Sequence, residues 1–68
     1  MSQKTVEVFR AEYFESKLQK WVAIYEGGSL EAAEEAVGTP IIGNPKKRVA
    51  KYLKSGVRKI RYSFVEEV

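Results

Sequence analysis

Neither cysteine nor histidine occurs anywhere in the 68-residue sequence, which removes the disulfide and zinc staples that very small folds commonly use. A chain of this size buries only about 60% of the surface it exposes when unfolded, so a stability of a few kcal/mol is expected. Order must then come from one apolar core, from polar contacts, or from association with a second chain. A self-associating surface, in the simplest case a homodimer, is therefore an expectation. Hydrophobic residues make up 44% of the chain, with eight aromatics among them, so the sequence belongs with folding chains and not with disordered ones. Residues 1–68 read as a single domain.

The punctuation of the chain suggests five elements. From Lys4 to Phe14, β-branched and aromatic residues alternate with polar ones, which predicts a strand. The apolar phase slips between Val8 and Phe9, which predicts a bulge or strong twist near Arg10. A polar turn at Glu15–Leu18 leads to a second strand, Gln19–Tyr25, which Gly27 and Gly28 end. Ser29 is a suitable N-cap for a helix over 29–37, with Gly38 as its left-handed C′ residue and Pro40 barring continuation. Asn44-Pro45 resembles a second helix start, and Val49, Tyr52 and Leu53 lie at helical spacing before Gly56. A final strand is expected over Val57–Val65, with Ile60, Tyr62 and Phe64 on its inward face. The expected fold is α+β, a three-stranded antiparallel-type sheet in β-β-α-α-β order with two short helices packed on one face.

Residue types exclude more chemistry than they suggest. Without histidine there is no His-based acid–base pair and no Ser–His–Asp or Cys–His nucleophile. All nine acids are glutamates, and Glu31, Glu34 and Glu35 fall on the solvated side of the first helix. Gly27-Gly28-Ser29 lacks the spacing of a phosphate-binding loop and reads as a turn. The chain is expected to be no enzyme and to use no cofactor and no metal. It has no export signal and no apolar run of membrane-spanning length, so a cytoplasmic location is the default.

Charge is distributed unevenly. Residues 1–38 carry four basic side chains and seven glutamates, a net of −3. Residues 39–62 carry Lys46, Lys47, Arg48, Lys51, Lys54, Arg58, Lys59 and Arg61 with no acid, a net of +8. Such segregation causes self-repulsion unless an anionic partner offsets it. On a second helix, Lys47, Lys51 and Lys54 would form a stripe at i, i+4 and i+7, flanked by Lys46 and Arg48, and suited to phosphates.

A second constellation depends on register. If Phe14 pairs with Gln19, then Phe9, Ala11 and Tyr13 share a core face with Val22 and Ile24. The opposite face would carry Arg10, Glu12, Trp21, Ala23 and Tyr25. Lys59 and Arg61 join that outer face if the last strand pairs beside the hairpin. Interleaved aromatic and guanidinium groups can stack unpaired bases, or anchor a protein contact.

Three short stretches resemble parts of nucleic-acid-binding families. Lys47-Arg48-Val49-Ala50-Lys51 resembles the helix start of double-stranded-RNA-binding domains. SLEAAEEAVG with KRVAKYLKSGVRKIR is similar to the helix-turn-helix and wing of excisionase-like proteins. VEVFRAEYFE with KIRYSFVEEV resembles, in layout, a small archaeal ribosomal protein of the LX type. The three layouts are mutually inconsistent, and none is adopted. The leading expectation is a small nucleic-acid-binding module for DNA or RNA, using Lys46, Lys47, Arg48, Lys51, Lys54, Arg58, Lys59 and Arg61 with Trp21, Tyr25 and Arg10. The alternative is a protein-interaction module, such as a phage-type inhibitor, docking on an acidic partner surface. A third is an oligomer that sequesters a small anionic ligand such as a nucleotide.

Overall fold

The computed structural model describes residues 4–68, and the signal-free reading of the N-terminus falls partly on Met1–Gln3, outside the described residues. Five elements follow in order: β1 (Thr5–Glu15), β2 (Lys20–Gly27), α1 (Leu30–Val37), β3 (Lys47–Ser55) and β4 (Arg61–Glu67). All strand pairings are antiparallel, and the sheet order is β2-β1-β3-β4. Strands β2 and β3 therefore run parallel to each other with β1 between them, and α1 is carried on the connection that crosses from one to the other. Four strands and one helix replace the expected three strands and two helices.

The difference lies in the segment expected to be a second helix. Asn44 sits at φ 47, in the left-handed region, whereas an N-cap needs extended backbone. The chain then enters β3, which pairs with β1 without interruption from Thr5↔Ser55 to Tyr13↔Lys47. Helical spacing of Val49, Tyr52 and Leu53 was a coincidence of a strand half-buried on both faces. Val49 joins the core under α1, while Ala50 and Tyr52 point through the other face toward Arg10 and Val8 on β1. Central strands lose clean alternation for this reason.

The same reason explains the phase slip in β1. Val8 and Glu12 are buried on one face, and Ala11 is buried on the other, with Phe9 packed beside it. The expected irregularity near Arg10 falls between Ala11 and Glu12. Its extra residue lies on the partner strand, where Ala11 pairs with Tyr25 and Glu12 with Ala23, leaving Ile24 over.

The β1–β2 turn occupies residues 16–19, one residue later than expected, with Glu15 opposite Lys20 and Phe14 opposite Trp21. Gln19 closes it at φ 52, its side-chain Nε2 donating to the Ser16 carbonyl at 2.7 Å. That register preserves the expected faces for Tyr13, Val22, Trp21 and Ala23. The extra residue Ile24 then reverses Tyr25, which packs into the helix-side core and not on the outer face.

Helix α1 begins as expected, with the Ser29 hydroxyl accepting the Ala32 amide at 3.2 Å. Its end differs. Gly38 is at φ −76, not left-handed, and its amide donates to the Glu34 and Glu35 carbonyls. Ala11, Ala33 and Val49 form the buried contact, bordered by Phe9, Tyr25, Leu30, Ala36 and Val37. Alanine at the centre lets the helix approach the sheet closely. Among the described residues α1 touches β1, β2 and β3 and does not reach β4.

Strand β4 starts at Arg61, and Gly56–Ile60 form the connection from β3. Its pairing shifts between Lys51↔Glu66 and Tyr52↔Phe64, so Val65 is extra. Tyr62 and Phe64 face away from the helix, reversing their expected inward orientation. Among the described residues, no helix is long and apolar enough to cross a membrane.

Ala33 is fully buried between helix and sheet. Substituting Ala33→Leu should destabilise the protein by about 1–3 kcal/mol through overpacking, read as a lower urea midpoint with an unchanged slope.

Candidate functional site

One face of the sheet carries no helix, yet a carboxylate is buried in it. Glu12, on the central strand β1, is only 2% exposed. One of its oxygens accepts from Arg48 Nε at 2.8 Å, and the other from the Tyr52 hydroxyl at 2.9 Å. Arg10 Nη1 lies 3.8 Å away. Both guanidiniums extend the network outward. Arg10 Nε bonds Glu26 on β2 at 2.7 Å, and Arg48 Nη1 bonds Glu67 on β4 at 2.9 Å. Tyr62 on β4 donates to the second Glu26 oxygen at 2.9 Å, joining the two edge strands across the open face.

Aromatic rings complete this layer. The Arg10 guanidinium lies 4.5 Å from the Tyr62 ring centroid and 5.0 Å from that of Tyr52. The Arg48 guanidinium lies 4.2 Å from the Trp21 centroid and 5.4 Å from that of Phe64. Tyr52 makes edge contacts with both Tyr62 and Phe64, and Trp21 makes one with Phe14. Cation–π contacts of this kind contribute about 0.5–2 kcal/mol each, depending on how far they are desolvated.

The electrostatics follow from these contacts. Burial opposes the charges of Arg10 and Arg48, but hydrogen bonds and neighbouring carboxylates outweigh it and raise both guanidiniums above their usual pKa. Partial burial would raise the Glu26 carboxyl, yet the hydrogen bonds from Arg10 and Tyr62 bring it below its usual value. Burial, then the hydrogen bond and charge of Glu12, raise the Tyr52 phenol. The Tyr62 phenol is raised chiefly by its bond to Glu26.

This network and the strand geometry divide the expected binding residues. Lys47 and Lys51 lie on the helix side of β3 and Lys54 on the open side, so they do not form a stripe. Lys47 Nζ donates to the Thr39 carbonyl at 2.8 Å, fastening the loop before β3. Lys51 lies 3.4 Å from Glu7 and 3.8 Å from Glu66. Arg10 and Arg48 belong to the buried network, and Trp21 is covered by Arg48. Tyr25 belongs to the core. Lys46 is exposed at the other end of β3, where its carbonyl accepts the Phe14 amide. Arg61, opposite Ser55, lies on the helix side of the sheet and not on the outer face. Lys59 lies in the loop before it.

Lys54, Arg58, Lys59 and Arg61 make no hydrogen bond or ion pair with another side chain among the described residues. They gather where β3 turns into β4. Lys4, which charge counting overlooks because it stands outside the basic segment, lines the same end beside Lys54, Val57 and Ile60. Arg58, Lys59 and Arg61 border a second, adjoining concavity with Ser55 and Ser63. Glu26 is near Lys54 but bonded to Arg10 and Tyr62. Glu12, Glu26 and Tyr52 were also absent from the sequence-based site. The available signal was a single charged residue between apolar Ala11 and Tyr13 in a strand. Among the described residues, no three potential metal ligands come together.

Replacing Glu12 with alanine leaves two guanidiniums and a phenol without their shared acceptor. Glu12→Ala should cost about 3 kcal/mol, measured by urea unfolding. The pH dependence has two limbs. Glu26 is depressed when folded, so its contribution is present above the unfolded carboxylate pKa and lost as pH falls through the folded value. Tyr52 is raised when folded, so its contribution is complete below about pH 10 and lost as pH rises through the folded value. Tyr52→Phe should reduce the alkaline limb of stability to the share that Tyr62 contributes and leave the acid limb in place.

No protein-family model, curated protein or solved structure matches this chain.

Proposed function

We propose that the protein is a non-enzymatic module that binds nucleic-acid phosphates through the end of the sheet where β3 turns into β4. The supporting observation is the convergence there of Lys4, Lys54, Arg58, Lys59 and Arg61, which form no ion pair among the described residues, beside Glu7 and Glu26, whose carboxylates are engaged by Lys51 and Arg10. No acid occurs in the sequence between Glu35 and Glu66 to neutralise this region locally. Charge left unpaired at one end repels itself, and a polyanion relieves that repulsion while releasing its own counterions. Lys47, Arg48 and Lys51 are engaged within the fold, so they contribute to the ligand's field more than to its direct contacts.

An acidic protein surface would use the same cations and is the second reading. Val57 and Ile60 are exposed apolar residues beside them, Phe64 and Val65 are exposed further along β4, and the outer edge of β4 is unpaired among the described residues. A second copy of the chain has its candidate surface here too. Recovery of a defined protein partner after nuclease treatment would favour this reading.

Fluorescence-anisotropy titration of labelled oligonucleotides at two or more salt concentrations tests the first reading. With about four phosphates neutralised, log K should fall by about 3 per decade of salt. The double change Arg58→Glu, Lys59→Glu should weaken binding at least about tenfold and reduce that slope by about 2. Lys17→Glu, Lys20→Glu, at the opposite end of the sheet, should change it little. Affinity indifferent to salt would sink the proposal.

A further inference from the structure

We infer that the ligand is B-form duplex DNA, with the Gly56–Ile60 loop entering a groove. This rests on the phosphate-binding reading above and adds the class of nucleic acid.

The aromatic face is the natural place for unpaired bases, but its rings already have partners. Arg10 covers Tyr52 and Tyr62, while Arg48 covers Trp21 and Phe64. A base could stack there only by displacing a guanidinium that is also bonded to Glu26 or Glu12. Single-strand platforms work with free ring faces. On this sheet Tyr62 and Phe64 are 38% and 51% exposed, but each already has a guanidinium over one face.

The loop end has the opposite character. Lys54 lies on the open side of the sheet and Arg61 on the helix side, with Arg58 and Lys59 between them in the loop. Cations on both sides of a narrow projection suit the two phosphate rows that border a groove. Between them, Val57 is 90% exposed and Ile60 49% exposed, so neither is needed by the core. Apolar side chains in such a position can meet thymine methyl groups or base edges. The turn itself is tight. Gly56 is at φ +95, and a Cβ there would lie 2.5 Å from the Lys59 carbonyl oxygen, so glycine is required to present the loop.

Groove dimensions favour DNA over RNA. A two-stranded ribbon fits the B-form major groove, about 12 Å wide, whereas the A-form major groove is too deep and narrow for side chains to read.

The test compares a duplex DNA, a duplex RNA and a single-stranded DNA of equal length, titrated at matched salt. Duplex DNA should bind about tenfold or more tightly than either of the others. Val57→Ala, Ile60→Ala should weaken duplex DNA binding about fivefold with an unchanged salt slope, because it removes groove contacts and no charge. Salt-dependent binding that is equal or tighter for the single strand or for duplex RNA would overturn this inference and leave the phosphate reading standing. Absence of salt-dependent binding to all three would overturn both.

Discussion

The fold depends on a buried carboxylate having somewhere to send its charge. A single eight-residue helix covers one face of the sheet, and among the described residues no helix covers the other. Glu12 sits near the middle of that second face, where burying an ion costs several kcal/mol unless good partners compensate. Arg48 and Tyr52 from β3 provide direct bonds, and Arg10 from β1 adds its field. Each arginine then reaches an edge strand through a second carboxylate and two rings. The layer that a larger protein would build from a second helix is built here from side chains.

This arrangement matters most for β4, which α1 does not touch. Its backbone ladder to β3 is supplemented by Tyr62 to Glu26, Glu67 to Arg48 and the edge contact of Phe64 with Tyr52. Two of these bonds end on charged groups that are themselves held by the network. The orientation of the basic loop preceding β4 is thus linked mechanically to the carboxylate in the centre of the sheet. Loss of that carboxylate would loosen the loop as well as the fold.

Much of the architecture was legible where local chemistry is unambiguous. The first hairpin, the Ser29 cap, the helix over 30–37 and the break at Gly56 follow from turn and cap residues that act on their immediate neighbours. The second helix failed because Asn44-Pro45 and the Val49–Tyr52–Leu53 spacing satisfy helix rules, while the deciding contact, a continuous ladder to β1, lies about forty residues away in sequence. The candidate site was only partly legible for the same reason. Counting charges located the basic segment, but pairing decides which charges remain available. Arg48 and Lys51 find glutamates on other strands, whereas Arg58 and Lys59 do not. Tyr25 changed faces through one extra residue, Ile24, which has no marker within β2 itself.

The basic segment therefore does two different jobs along its length. Toward its start, Lys47, Arg48 and Lys51 tie a loop and three strands together, and neutralisation there is internal. Toward its end, the cations stand where the sheet runs out, and the nearby Glu7 and Glu26 are already engaged by Lys51 and by Arg10 and Tyr62. Even spreading of nine glutamates could have paired more of them. Instead Glu31, Glu34 and Glu35 are exposed on or near α1, on a different element from the unpaired cations. A surface with acid on the helix and base on the β3–β4 loop attracts a polyanion to one element and repels it from another. Under the proposed function, that asymmetry would orient a polyanion before contact, an effect that weakens with salt over a Debye length of about 8–10 Å.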